Sequence, residues 1–126
     1  MHGYTYSAHP LACAAANATL ALYERDRLFE RAASLEGYLE NAAHALQGAR
    51  HVIDIRNIGL VAGIELEPRP GAPGKRAFEL FLKCFAKGVM VRATGDIIAV
   101  SPPLIVEKAQ IDRIFATIAE AIKTVE

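Results

Sequence analysis

The sequence predicts an α/β domain in which helices pack against a small antiparallel or mixed sheet. Three observations point there. Four stretches carry helical signals, either apolar residues at three- and four-residue steps or a density of alanine and leucine. Four shorter stretches read as strands, two of them with clean alternation of apolar and polar residues. Glycine and proline punctuate the boundaries between them. The expected order is helix, helix, strand, strand, helix, strand, strand, helix.

The opening stretch MHGYTYSAH has no period and reads as a loop. Pro10 suits the first turn of a helix, where its missing N–H leaves no bond unmade. LACAAANATLALYER continues that helix, and so many alanines predict close packing against a neighbour. Asp26 is a plausible N-cap for a second helix. Leu28, Ala32, Leu35, Leu39, Ala42 and Leu46 form its apolar stripe, and Gly48 reads as its stop.

The pattern then alternates. In HVIDIRN, Ile53 and Ile55 are expected on one face, with Asp54 and Arg56 on the other. Gly59 breaks the strand, and Leu60, Ala62, Ile64 and Leu66 alternate after it, which predicts an antiparallel pair. Residues 68–74 hold three prolines and two glycines and read as a surface loop. The helical period returns over 75–87, with Phe78, Phe81, Leu82 and Phe85 sharing a face and Gly88 as the end. Residues 89–93 and 97–101 read as short strands around a Thr94–Gly95–Asp96 turn, and Pro102 and Pro103 stop the second. The last helix covers about 107–124, with Ile111, Ile114, Phe115, Ile118 and Ile122 as its buried stripe.

The 126 residues suffice for one domain with a real core. No apolar run approaches the roughly 20 residues needed to cross a bilayer. The N-terminal stretch has neither the basic start nor the apolar core of a secretion signal, so a cytoplasmic protein is expected. Lysine plus arginine number 14, as do aspartate plus glutamate. That balance argues against nucleic acid or an acidic membrane surface as a partner. Cys13 and Cys84 both fall inside apolar helical patterns and are expected to be buried, reduced thiols. No CxxC pair or histidine cluster accompanies them to suggest a metal.

Chemistry is sparse. There is no glycine-rich phosphate loop after a strand, no HExxH and no GxSxG. Two features stand out. Tyr4, Thr5, Tyr6 and Ser7 lie between His2 and His9, outside any helix or strand. They are either a frayed terminal loop or a loop presenting hydroxyls to a ligand. Arg92 sits in VMVRATGD with apolar neighbours on both sides. It is either on the solvent side of an edge strand or a clamp for a carboxylate, which a guanidinium meets with two parallel hydrogen bonds. Asp96 could pair with Arg92 or serve the turn, and the turn role is favoured because Asp beside Gly is common there.

The segments HGYTYSAHPLACAAANATL, VIDIRNIGLVAGIEL and GVMVRATGDIIAVSPPLIV resemble, in order and at sensible spacing, segments of the class III aminotransferases. The likeness covers essentially the whole chain, and TYSAHP and RATGDIIAVSPPLI look closest to the ω-amino-acid:pyruvate (β-alanine:pyruvate) type. The diaminopelargonic-acid enzymes of biotin synthesis look similar but depart in both places. This resemblance implies the fold-type-I architecture of enzymes dependent on pyridoxal 5'-phosphate. It assigns residues 1–26 to the end of the large domain and a connecting helix, and 27–126 to the C-terminal small domain. It implies a homodimer in which Thr5 binds the cofactor phosphate of the neighbouring subunit. It implies that Arg92 binds the substrate carboxylate and swings aside for an uncharged substrate. The family's Schiff-base lysine precedes the first of these segments, and Lys75, Lys83, Lys87, Lys108 and Lys123 match no such motif. The 126 residues are therefore expected to be an inactive fragment of a transaminase that moves an amino group from an ω-amino acid or amine to pyruvate. The rival expectations are another class III member, such as the biotin-pathway enzyme, or a non-catalytic α/β interaction module.

Overall fold

A computed structural model describes residues 3–126. The elements follow the expected order. Helix α1 (Pro10–Arg25) and helix α2 (Leu28–His44) lead into strands β1 (Val52–Ile58) and β2 (Val61–Leu66). Helix α3 (Lys75–Ala86), strands β3 (Arg92–Thr94) and β4 (Ile97–Val100) and helix α4 (Lys108–Ile122) follow. The four strands form one sheet in the order β1-β2-β4-β3, and every pairing is antiparallel. The β1–β2 turn is two residues long, and Gly59 adopts φ +54°, the left-handed conformation that glycine reaches at least cost.

One side of the sheet holds the core. Ala62, Ile64 and Leu66 of β2 meet Ile98 and Val100 of β4 there, all buried. Leu35, Leu39 and Ala43 of α2, Ala77, Leu80 and Cys84 of α3, and Ile111, Phe115 and Ile118 of α4 close over them. Burying each of the larger aliphatic side chains contributes about 1.5–3 kcal/mol. The stripes read for α2 and α4 are on this side, with Ala32, Ala42 and Ile114 at its margin. A reciprocal capping box starts α4: the Glu107 side chain accepts from the backbone of Gln110, and the Gln110 side chain accepts from the N–H of Glu107 at 2.9 Å.

Several expectations are corrected. Asp26 does not cap α2. Its N–H closes α1 onto the Leu22 carbonyl at 2.9 Å, and its carboxylate accepts two bonds from Arg25. Arg27, in the left-handed region at φ +48°, takes the N-cap place. Helix α1 buries none of its residues, so no neighbour among the described residues covers its alanines. It meets α2 through an edge-on pair of Tyr23 and Phe29 rings, 5.2 Å between centroids. Helix α2 ends at His44, four residues before Gly48, and irregular turns run on to that glycine at φ +81°. In β1 a bulge between Val52 and Asp54 makes Ile53 the extra residue, leaving it exposed while Val52 and Ile55 pack on the core.

Helix α3 is turned from its expected orientation. Phe78, Leu82 and Phe85 are exposed, and the buried positions are Arg76, Ala77, Leu80 and Cys84. Phe81 lies at the margin, its ring 5.8 Å from Phe78 and 6.0 Å from Phe85. The buried Arg76 is satisfied by main chain: it donates to the carbonyls of Glu67 and, at 2.8 Å, Glu126. Arg69 joins it, reaching Glu79 at 2.8 Å and the Glu126 carbonyl at 2.7 Å. The loop over 68–74 is thus pinned at Arg69, which also bridges to Ala72. The cysteines divide: Cys84 is buried, as expected, but Cys13 is exposed on α1.

Candidate functional site

Because side chains alternate across a strand, the residues between the core positions face the opposite side of the sheet. In register across all four strands these are Arg56, Gly63, Ala99 and Arg92, with Asp54, Glu65, Ile97 and Thr94 in the adjacent row. Helices α2, α3 and α4 lie on the core side, and this second face is open. Two small residues, Gly63 and Ala99, floor the interval between two arginines.

Those arginines differ electrostatically. Arg56 donates to Glu65 at 2.7 Å and to Asp54. The hydrogen bond it donates to Glu65, then that to Asp54, holds the guanidinium above its usual pKa. Its charge is therefore answered twice. Arg92 is exposed on the edge strand, and its side chain makes no hydrogen bond or ion pair among the described residues. Of the two readings of Arg92, the solvent side of an edge strand matches its position. That position also leaves both guanidinium edges free for an anion.

Asp96 takes the turn role. Residues Gly95 and Asp96 form the β3–β4 turn, and Thr94 belongs to β3, so the turn is shorter than expected. The Asp96 carboxylate accepts from the Gly74 N–H at 2.7 Å and does not pair with Arg92. Thr5 lies in a turn just before α1, exposed, and its hydroxyl has no hydrogen-bond partner among the described residues. His2, at the start of that loop, is outside the described residues. Thr5 and Arg92 are not brought together. The helix behind Thr5 leans on α2, which packs on β1 and β2, while Arg92 is on the far edge strand.

Sequence reasoning missed a cleft. An open hollow of about 730 Å³ lies between the β4 exit and α4, lined among others by Met90, Pro102, Pro103, Ile105, Gln110 and Arg113. The Pro102–Pro103 pair, which holds the chain away from the sheet, was the available signal. No lysine lines it. Lys83 pairs with Glu79 at 3.5 Å, Lys87 pairs with Glu120, and Lys108 sits 4.9 Å above the Tyr38 ring. Among the described residues no cluster of three or more histidine, cysteine or acidic side chains could hold a metal.

The model of the aminotransferase class-III family matches residues 1–122. The chain belongs to the class III aminotransferases. It is 64% identical over 125 residues to an omega-aminotransferase of Caulobacter vibrioides, covering 99% of this chain and 28% of that protein. It is 45% identical over 121 residues to the beta-alanine–pyruvate aminotransferase of Pseudomonas aeruginosa, covering 96% and 27%. Among solved structures, the adenosylmethionine-8-amino-7-oxononanoate aminotransferase of Methanocaldococcus jannaschii superposes with a TM-score of 0.89 at 32% identity, over 99% of this chain and 30% of that one. This class III chain thus spans somewhat over a quarter of the length of the curated relatives it matches.

Class III aminotransferases depend on pyridoxal 5'-phosphate, and the described residues fit that cofactor in part. A free threonine hydroxyl suits a phosphate oxygen. Neither the hollow beside α4 nor a smaller one beside β1 is lined by a lysine that could form the covalent anchor. This class III chain thus presents an exposed threonine before α1 and an exposed arginine on β3, on separate elements.

Proposed function

We propose that the intact protein carrying this chain moves an amino group from an ω-amino acid or amine to pyruvate, working as a cytoplasmic homodimer. In this reading residues 1–26 end the large domain and 27–126 form the small domain. The observation that carries it is Arg92, exposed on the uncovered face of the sheet and unpaired among the described residues. Its side chain would grip the carboxylate of the acceptor and orient the adjacent carbonyl carbon towards the cofactor. A guanidinium serves better than an ammonium here, because its planar fork fixes the carboxylate in two directions. Thr5 would donate its hydroxyl to the phosphate of the neighbouring subunit's cofactor. The cofactor, when bound, supplies the electron sink and carries the amino group between donor and acceptor.

The 64% identity to an omega-aminotransferase supports this choice of reaction over that of the adenosylmethionine-8-amino-7-oxononanoate enzyme, matched at 32%. The test is Arg92→Ala in the intact enzyme. It should lower kcat/KM for pyruvate by about one to two orders of magnitude, the value of a charge-assisted hydrogen bond or two. The rate with butanal, which has no carboxylate, should change little. An equal loss with both acceptors rules out the clamp. In the same preparation Thr5→Val should speed cofactor loss on dialysis; unchanged retention would remove Thr5 from the site.

A further inference from the structure

Strand β3 is a poor platform for a clamp when taken alone. It has three residues, pairs on one side only, and ends the sheet. A short edge strand of this kind moves easily, since few bonds hold it. Val91 and Ala93 hold its inner side on the core, and the turn at its end adds two further ties. The Asp96 carbonyl accepts from the Leu66 N–H at 2.9 Å, binding the turn to the end of β2. The Asp96 carboxylate accepts from the Gly74 N–H at 2.7 Å, binding it to the start of α3.

Gly74 is shaped for this contact. Its φ is +78°, and a Cβ placed there would come within 3.4 Å of the Gly95 carbonyl oxygen. The backbone of the loop therefore lies directly against the β3–β4 turn. The loop is held in turn by Arg69, which ties it to Glu79 and to the Glu126 carbonyl. Helix α3 is fixed from beneath by Ala77, Leu80 and Cys84, all at 0% exposure. A chain of contacts thus runs from the core through α3 and Gly74 to Asp96, and along three residues of strand to Arg92.

We infer that Asp96 is a positioning residue for substrate specificity: by tying the β3–β4 turn to Gly74 and Leu66, it sets where the Arg92 guanidinium meets a carboxylate. The inference rests on the clamp reading of Arg92. A group displaced by about an ångström from its working position loses much of its effect. That loss should fall only on substrates that use Arg92.

The experiment uses the intact, cofactor-loaded enzyme with pyruvate and butanal as alternative acceptors. Asp96→Ala should raise KM for pyruvate on the order of tenfold while the butanal parameters stay within about twofold. Asp96→Asn keeps an acceptor oxygen for Gly74 and should restore the pyruvate KM. Hydrogen exchange gives a readout separate from turnover: peptides covering residues 92–96 should lose protection in Asp96→Ala and keep it in Asp96→Asn. If Asp96→Ala fails to fold, Asp96→Glu retains an acceptor but lengthens the tie by one methylene, and should show the same acceptor split. Equal losses on both acceptors, or no change on either, overturn the inference provided that Arg92→Ala discriminates between them. If Arg92→Ala does not discriminate, the clamp reading fails first and this inference falls with it.

Discussion

Cys84 and Cys13 show how far one side chain's chemistry depends on its surroundings. Burial pushes the Cys84 thiol from an ordinary value of 9.0 up to about 11, with the Lys87 charge opposing it. Cys13 stands exposed on α1. In the 126-residue chain at pH 8, iodoacetamide should therefore label one thiol, Cys13, and reach the second only in denaturant. Rapid labelling of both in the native state would contradict the burial of Cys84. The shift also has a stability consequence. The folded state keeps the proton more tightly than the unfolded chain, so this stabilisation is complete below about pH 9 and fades as pH rises towards 11. A denaturation series across that range should show falling stability, and Cys84→Ala should flatten the slope. Sequence pattern could not separate the two cysteines, since both sit among apolar residues, Cys13 among alanines and leucines and Cys84 among leucines and phenylalanines. Arg92 was legible as an anomaly in an apolar strand. That it lacks a partner among the described residues while Arg56 has two follows only from where Asp54 and Glu65 come to lie.

Helix α3 carries apolar residues around much of its circumference. The small set, Ala77, Leu80 and Cys84, faces the core, and the larger set, Phe78, Leu82 and Phe85, faces out. Periodicity locates a helix well but cannot choose between two apolar arcs, and the bulky aromatics misdirect the choice. Stability measurements settle which arc bears the load. Leu80→Ala should cost about 2–5 kcal/mol, because it opens a cavity at a fully buried site. Phe78→Ala should cost about 0.5 kcal/mol or less, the scale of an ordinary surface substitution. The reverse order in urea melts would mean that the aromatic arc is the buried one. The hairpin of β1 and β2 was easier to read, because alternation and a glycine turn agree. The bulge at Ile53 was invisible, since one extra residue in a strand leaves the local pattern intact.

At the scale of the molecule, the sheet is covered on one face and open on the other, and α1 stands with no buried residue. Leu11 is 75% and Leu20 63% exposed on that helix. In the proposed division, where residues 1–26 end the large domain, α1 would pack against further segments of the intact protein. Its amides should exchange quickly in the 126-residue chain and be protected by at least about tenfold in the intact enzyme. Equal exchange in both would argue against that division. The order of eight elements, the stripes of α2 and α4, the loop over 68–74 and the family motifs around Thr5 and Arg92 were all readable in the linear chain. Each depends on residues within a turn or two of one another, where propensity and periodicity act directly. Which face of α3 is buried, that Asp96 binds Gly74, and that the row from Arg56 to Arg92 lies open were settled by folding. These rest on partners that meet only once the sheet is assembled, and burial and hydrogen bonding across such distances leave no periodic trace in the neighbouring residues.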